Sequence, residues 1–214
     1  MRRFLTIGLK FLSGLLMATV LWIGFIALQQ INYSQPDQVY LMGTTLSLGY
    51  VFLFLCLVVF FIFTFFKHRN NPGILKSRFL LFSAFYLVGA PLVLLAFDNY
   101  LLVTPKGMAY NPFFHVEDMK VTRWRDIEEV TLDYQEKRLP VKSASDVRLR
   151  YIIQFRDGPV VDLNHYNSPL YTAEQFLTIH RTILKHGVPV NIARSLPDTV
   201  ETSSFIYRMF YYQP

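Results

Sequence analysis

The chain has 214 residues, 52% of them apolar and 16% aromatic, with a formal net charge of +6. Residues 1–97 hold 7 basic residues and 1 acidic, whereas residues 98–214 hold 14 of each, so the excess positive charge lies wholly in the apolar part. A nucleic-acid binder would carry its Lys and Arg on the soluble part, which excludes that class, and the single cysteine, Cys56, excludes a disulfide framework and a thiolate metal site.

Residues 11–28 are uncharged and span about 27 Å as a helix, a match to a hydrocarbon core of about 30 Å. Arg2 and Arg3 could be taken for the head of a signal peptide, but the apolar run is too long and Ala27-Leu-Gln lacks the small residue before a cut. The connection 29–38 contains no Lys or Arg. Its Asn32-Tyr-Ser34 sequon lies too near the bilayer to carry weight. A second uncharged run, 40–66, would reach about 40 Å as a helix and is therefore expected to tilt or project into the interface. A third, 79–97, contains Gly89-Ala-Pro91, where a kink is expected.

Between the second and third runs lies Lys67-His-Arg-Asn-Asn-Pro-Gly-Ile-Leu-Lys-Ser-Arg78, read as a basic loop broken at Asn71-Pro-Gly. Lys67, Arg69, Lys76 and Arg78, together with Arg2 and Arg3, place that loop and the N-terminus in the cytoplasm by the positive-inside rule. Three spans then deliver residues 98–214 to the extracytoplasmic side of an inner membrane, with Tyr33, Tyr40 and Tyr100 as an outer aromatic belt. The spans carry no ionisable residue apart from the boundary Lys10, unlike the spans of most transporters. Gly14 and Ala18 form a small-xxx-small pair suited to helix contact, including contact in a homo-oligomer.

From Asn99 the pattern becomes alternating. Strands are expected over 100–104 and 108–111, joined at Pro105-Lys-Gly107, and over 120–124 and 130–134. The clearest strand is 147–156, with Val147, Leu149, Tyr151, Ile153 and Phe155 on one face and Arg148, Arg150, Gln154 and Arg156 on the other. Asp157-Gly158 then turns the chain into a strand over 160–163. One helix is expected from Thr172, with Gln175 as capping-box partner, to Gly187, with an apolar face that includes Phe176, Leu177, Ile179, His180 and Ile183. The tail 188–214 ends in an aromatic segment, 205–212, which as a helix would group Phe205, Ile206, Met209, Phe210 and Tyr212.

The order of a Leu101-Leu-Val-Thr-Pro-Lys-Gly107 hairpin, Trp124-Arg-Asp-Ile127 before a strand, Phe155-Arg-Asp-Gly158 between strands and one closing helix resembles the bacterial pleckstrin-homology-like (PH-like) domain over residues 98–187. The resemblance implies a strongly bent sheet of about seven strands capped by a C-terminal helix and placed after transmembrane helices. It does not imply phosphoinositide binding, because the first hairpin loop offers only Lys106 where binding members carry a basic cluster.

The expected protein is thus an α+β membrane protein with three transmembrane helices in 1–97, a PH-like bent sheet or barrel in 98–187 and a tail in 188–214. His115, Glu117 and Asp118 read as a solvated loop, because no second His or Cys stands at ligand spacing. His180 reads as a structural histidine, Trp124 as a core anchor, and Ser143, Ser145 and Asp146 as a polar linker without a nucleophile elbow. Arg148, Arg150 and Arg156, projecting from one strand face, with His165 in the Asn164-His-Tyr-Asn turn, form the expected binding surface for a protein partner. No cofactor, metal or nucleic acid is expected. The expected function is a membrane-anchored interaction module of the cell envelope acting without catalysis. The alternatives are an immunity protein against an envelope-targeting toxin and, more weakly, a membrane hydrolase or transferase.

Overall fold

The structure is a computed structural model that describes residues 2–111, 113, 120–137, 146–156, 160–166 and 173–212. The chain divides into two units, one of residues 1–34, 45–99 and 112–117 and one of residues 35–44, 100–111 and 118–214.

The first unit is built on α1 (Arg2–Tyr33), α2 (Thr45–His68) and α3 (Pro72–Asp98). All three are long and apolar enough to cross a membrane. The small-residue pair of α1 is used inside the chain, against α2. A Cβ on Gly14 would stand 3.2 Å from the Phe63 ring and 3.6 Å from Val59, and Ala18, one turn on, is fully buried. A turn further, the Trp22 indole N–H donates to the Leu48 carbonyl at 2.9 Å, and its ring meets Phe52 edge-on at 5.6 Å. Small residues at one end and a bonded aromatic at the other thus define a single antiparallel seam.

The α2–α3 seam depends on Gly89. A Cβ there would lie 2.7 Å from the Phe54 ring, which stacks on Phe85 at 5.2 Å, while the Tyr50 hydroxyl donates to the Gly89 carbonyl at 3.0 Å. α3 continues through Pro91 to Asp98. At its end the Gln29 amide of α1 donates to the carbonyls of Phe97 at 2.8 Å and Asn99 at 3.3 Å, groups that a helix terminus otherwise leaves unpaired.

Two boundaries differ from the sequence expectation. The stretch 67–78 is not a loop: α2 runs to His68 and α3 starts at Pro72, so Lys76 and Arg78 lie on α3 and only residues 69–71 connect the helices. The break is local because Pro72 fits the first helical turn without a donor and the Asn71 side chain accepts from the Ile74 N–H at 3.4 Å. The second apolar run does not enter its helix at Tyr40. Tyr40–Met42 form strand β1, and α2 begins only at Thr45.

β1 belongs to the second unit, where it pairs antiparallel with β2 (Leu101–Thr104) in the register Tyr40↔Val103 and Met42↔Leu101. β2 turns through Pro105-Lys106 into β3 (Gly107–Tyr110), and β4 (Lys120–Arg123) completes a sheet of order β1-β2-β3-β4. After a 3-10 turn at Trp124–Asp126 come β5 (Ile127–Lys137), β6 (Asp146–Phe155) and β7 (Val160–Asp162), then a second 3-10 turn, Leu163–Tyr166. α4 (Ala173–Lys185) follows, then β8 (Val190–Ile192), which runs parallel to β5 and gives a second sheet of order β7-β6-β5-β8. α5 (Phe205–Phe210) ends the unit.

The core lies between the two sheets and α4. Tyr110 of β3 stacks on Phe155 of β6 at 5.6 Å, and Tyr151 of β6 meets Phe176 of α4 edge-on at 5.3 Å. The alternation expected over 147–156 is present: Leu149, Tyr151, Ile153 and Phe155 are buried, whereas Arg148, Gln154 and Arg156 are exposed. Trp124 is buried, donates its N–H to the Pro105 carbonyl at 3.0 Å and stacks on His186 at 5.5 Å, so it ties the first hairpin to the end of α4. Two residues past Lys185 the chain leaves α4 through Gly187, whose φ of 69° lies in the left-handed region that a side chain disfavours. The aromatic tail is a helix, capped by Ser204 and seated with Ile206, Met209 and Phe210 buried, while Arg208 pairs with Glu174 of α4 at 3.0 Å. The turn at Asp157-Gly158, the start of the helix at Thr172, and His115, Glu117, Asp118, Ser143 and Ser145 lie outside the described residues.

Candidate functional site

The second sheet has one face turned to the core and one turned to water, and on the latter the antiparallel register sets opposite charges side by side. Asp133 of β5 stands across from Arg150 of β6, and Gln135 across from Arg148. Arg150 reaches both ways, to Asp133 at 3.9 Å and to Asp162 of β7 at 3.7 Å. On the other side of Asp133, Arg194, two residues after β8, forms an ion pair with the same carboxylate at 2.8 Å and donates to the Tyr134 carbonyl. Its guanidinium lies 4.4 Å from the centre of the Tyr134 ring. Asp162, Arg150, Asp133 and Arg194 therefore form a ladder of alternating charge that runs over β7, β6 and β5 to the segment just after β8.

Burial alone would raise the Asp133 carboxyl, but the hydrogen bonds from Arg194 and from the Tyr134 backbone N–H, with the charges of Arg194 and Arg150, outweigh it and hold the group below the usual carboxylate range. Asp133 is thus ionised throughout the physiological range, holds the Arg194 guanidinium by hydrogen bonds and attracts that of Arg150. Tyr134, Gln135, Glu136, Arg148, Arg150 and Arg194 line a groove of about 680 Å³ above the ladder. The Arg150 and Arg194 guanidinium groups each have five N–H donors in a planar fork, more than the ladder carboxylates take up, so they present donors suited to a second carboxylate or similar planar anion.

Of the residues singled out in the sequence, Arg148 and Arg150 line this groove, and Arg156 does not. Arg156 shares their strand face, but eight residues at the strand rise separate it from Arg148 by about 26 Å. His165 is exposed on the 3-10 turn after β7 and is not among the lining residues. Sequence reasoning missed Arg194. Its place follows from the pairing of β8 with β5 and from the Ala193 N–H donating to the Leu132 carbonyl at 2.9 Å, a non-local register with no sequence signal beyond a short Val-Asn-Ile run.

His180 is buried in α4 and shares a 2.9 Å hydrogen bond through Nδ1 with the Tyr151 hydroxyl, with the Tyr212 ring edge-on at 5.8 Å. Burial pushes the imidazole down to about 4 and the phenol well up, so at neutral pH both are uncharged members of the core. The chain has no match among family models, curated proteins or solved structures.

Proposed function

We propose that this chain is a membrane-anchored interaction module of the cell envelope: three spanning helices hold a PH-like β domain on the extracytoplasmic side, and the arginine groove receives an acidic segment of a protein partner. The observation that carries this reading is the groove itself, lined by Arg148, Arg150 and Arg194 where β5 and β6 meet the segment after β8. The Asp133 carboxylate holds the Arg194 guanidinium in place before any partner arrives, which lowers the ordering cost of binding.

The domain assignment rests on the antiparallel meander β2-β3-β4, the antiparallel strands β5-β6-β7 after it and α4 following them, although the strands form two four-stranded sheets where the resemblance implies one bent sheet of about seven strands. Two additions set this chain apart. β1 comes from the connection between the first two helices, and β8 with α5 follows the closing helix. The pairing of β1 with β2 has a topological consequence: residues 40–42 and 101–103 lie on the same side of the bilayer. The outward orientation is supported by the Lys67, Arg69, Lys76 and Arg78 cluster at the end of α2 and the start of α3, set against a first connection without Lys or Arg.

A photocrosslinking side chain placed at Gln135 of the full-length protein in living cells is expected to give one discrete protein adduct. Arg148→Glu combined with Arg194→Glu should reduce it at least tenfold, since like charge in a recognition site costs more than about 1.4 kcal/mol. An adduct indifferent to both reversals would remove the groove from the proposal.

A further inference from the structure

The basic end of the α2–α3 hairpin carries a second site, independent of the arginine groove. An apolar cleft of about 270 Å³ opens between the helices, walled by Phe61, Phe65, Leu75, Phe79 and Phe82. Arg78 is the one charged residue in its wall among the described residues. Cavities of about 150 Å³ with such walls already admit benzene-sized guests, and in hydrocarbon a space this apolar is filled by a chain and not by water.

Arg78 stands about 9 Å along the helix axis from Pro72, within reach of the headgroup region through its own aliphatic stem. The twelve residues 67–78 also contain Lys67, Arg69 and Lys76 and no Asp or Glu. A ligand that satisfies both parts needs an acyl chain for the cleft and a negative headgroup for the guanidinium. We infer that the cleft between α2 and α3 binds an anionic phospholipid, with one acyl chain against Phe61, Phe65 and Phe82 and the headgroup phosphate on Arg78.

Charge complementarity selects this occupant over a neutral lipid, because the cleft alone would accept any acyl chain and only Arg78 distinguishes the headgroup. The test uses the full-length protein in nanodiscs of equal phosphatidylglycerol and phosphatidylcholine, with the lipids retained on the protein counted by native mass spectrometry. Phosphatidylglycerol should be retained about fivefold over phosphatidylcholine, the advantage of one well-placed basic residue. Arg78→Gln should abolish that preference, and Lys76→Gln, exposed and outside the cleft wall, should preserve it. Leu75→Trp, which fills the cleft, should remove the retained lipid of either kind. Equal retention of the two lipids, a preference that survives Arg78→Gln, or an equal loss in Lys76→Gln would overturn the inference, the last by showing diffuse attraction in place of a site.

Discussion

Gly107→Ala is expected to dismantle the first sheet of the β domain. The added Cβ would lie 2.3 Å from the Thr122 carbonyl oxygen and 3.1 Å from the Arg123 Cα, both backbone atoms of the paired strand. A flexible side chain could rotate away, but a carbonyl held in a ladder can yield only by giving up the Gly107↔Arg123 pairing. The losses spread inward. Met108 is fully buried, and Tyr110 stacks on Phe155 of the other sheet, so a displaced β3 uncouples the two sheets. The cost should reach about 3 kcal/mol, the upper range for forced overpacking, whereas Lys106→Ala in the same turn, exposed, should stay within about 0.5 kcal/mol. Hydrogen exchange of the full-length protein checks this: amides of 101–110 and 120–123 should lose protection in Gly107→Ala alone. Wild-type protection in that variant would mean that the β3–β4 spacing is wrong.

The β domain should also lose about 3 kcal/mol of stability between pH 7 and pH 4, and His180 should account for most of it. Its folded value of about 4 lies below the ordinary 6.5, so within this window the unfolded chain binds a proton that the folded one refuses. The contribution is complete above 6.5 and is lost as pH falls toward 4. Asp133 acts at lower pH: its depressed carboxyl contributes fully above its ordinary value of 3.8 and loses that contribution only below it. His180→Gln keeps a hydrogen-bonding partner for the Tyr151 hydroxyl and removes the titrating ring. Its stability should be nearly flat from pH 7 to 5, read by Trp124 fluorescence during urea unfolding in a Trp22→Phe background. Parallel curves for the two proteins would show that His180 is not the group that responds.

These consequences follow from features of unequal visibility in the sequence. The 147–156 strand and the α4 face were legible because periods of 2 and 3.6 survive any tertiary context. β1 was not legible, since hydropathy alone cannot divide the uncharged run 40–66. The break falls at Gly43-Thr44, and the physical reason for it is the partner strand β2, about sixty residues away. The same limit explains the site. Arg148 and Arg150 were visible by alternation, which also drew in Arg156 because a shared face carries no information on distance along the strand. Arg194 became part of the groove through a parallel pairing that closes across the whole domain. The basic stretch 67–78 was legible as a charge cluster but not as helix, because Pro72 at the first helical turn resembles a loop proline until the Asn71 cap is seen.

The central claim is that the β domain, built from two separate connections, lies outside while the α2–α3 turn lies inside. Single cysteines in a Cys56→Ser background test it most directly: Asp37→Cys beside β1, Asn70→Cys between α2 and α3, and Thr202→Cys before α5, all at exposed positions. In intact spheroplasts a membrane-impermeant maleimide should label the first and third and spare the second until the membrane is lysed. Labelling of Asn70→Cys with protection of the other two would reverse the orientation, and labelling of Asp37→Cys without Thr202→Cys would contradict the β1–β2 pairing itself.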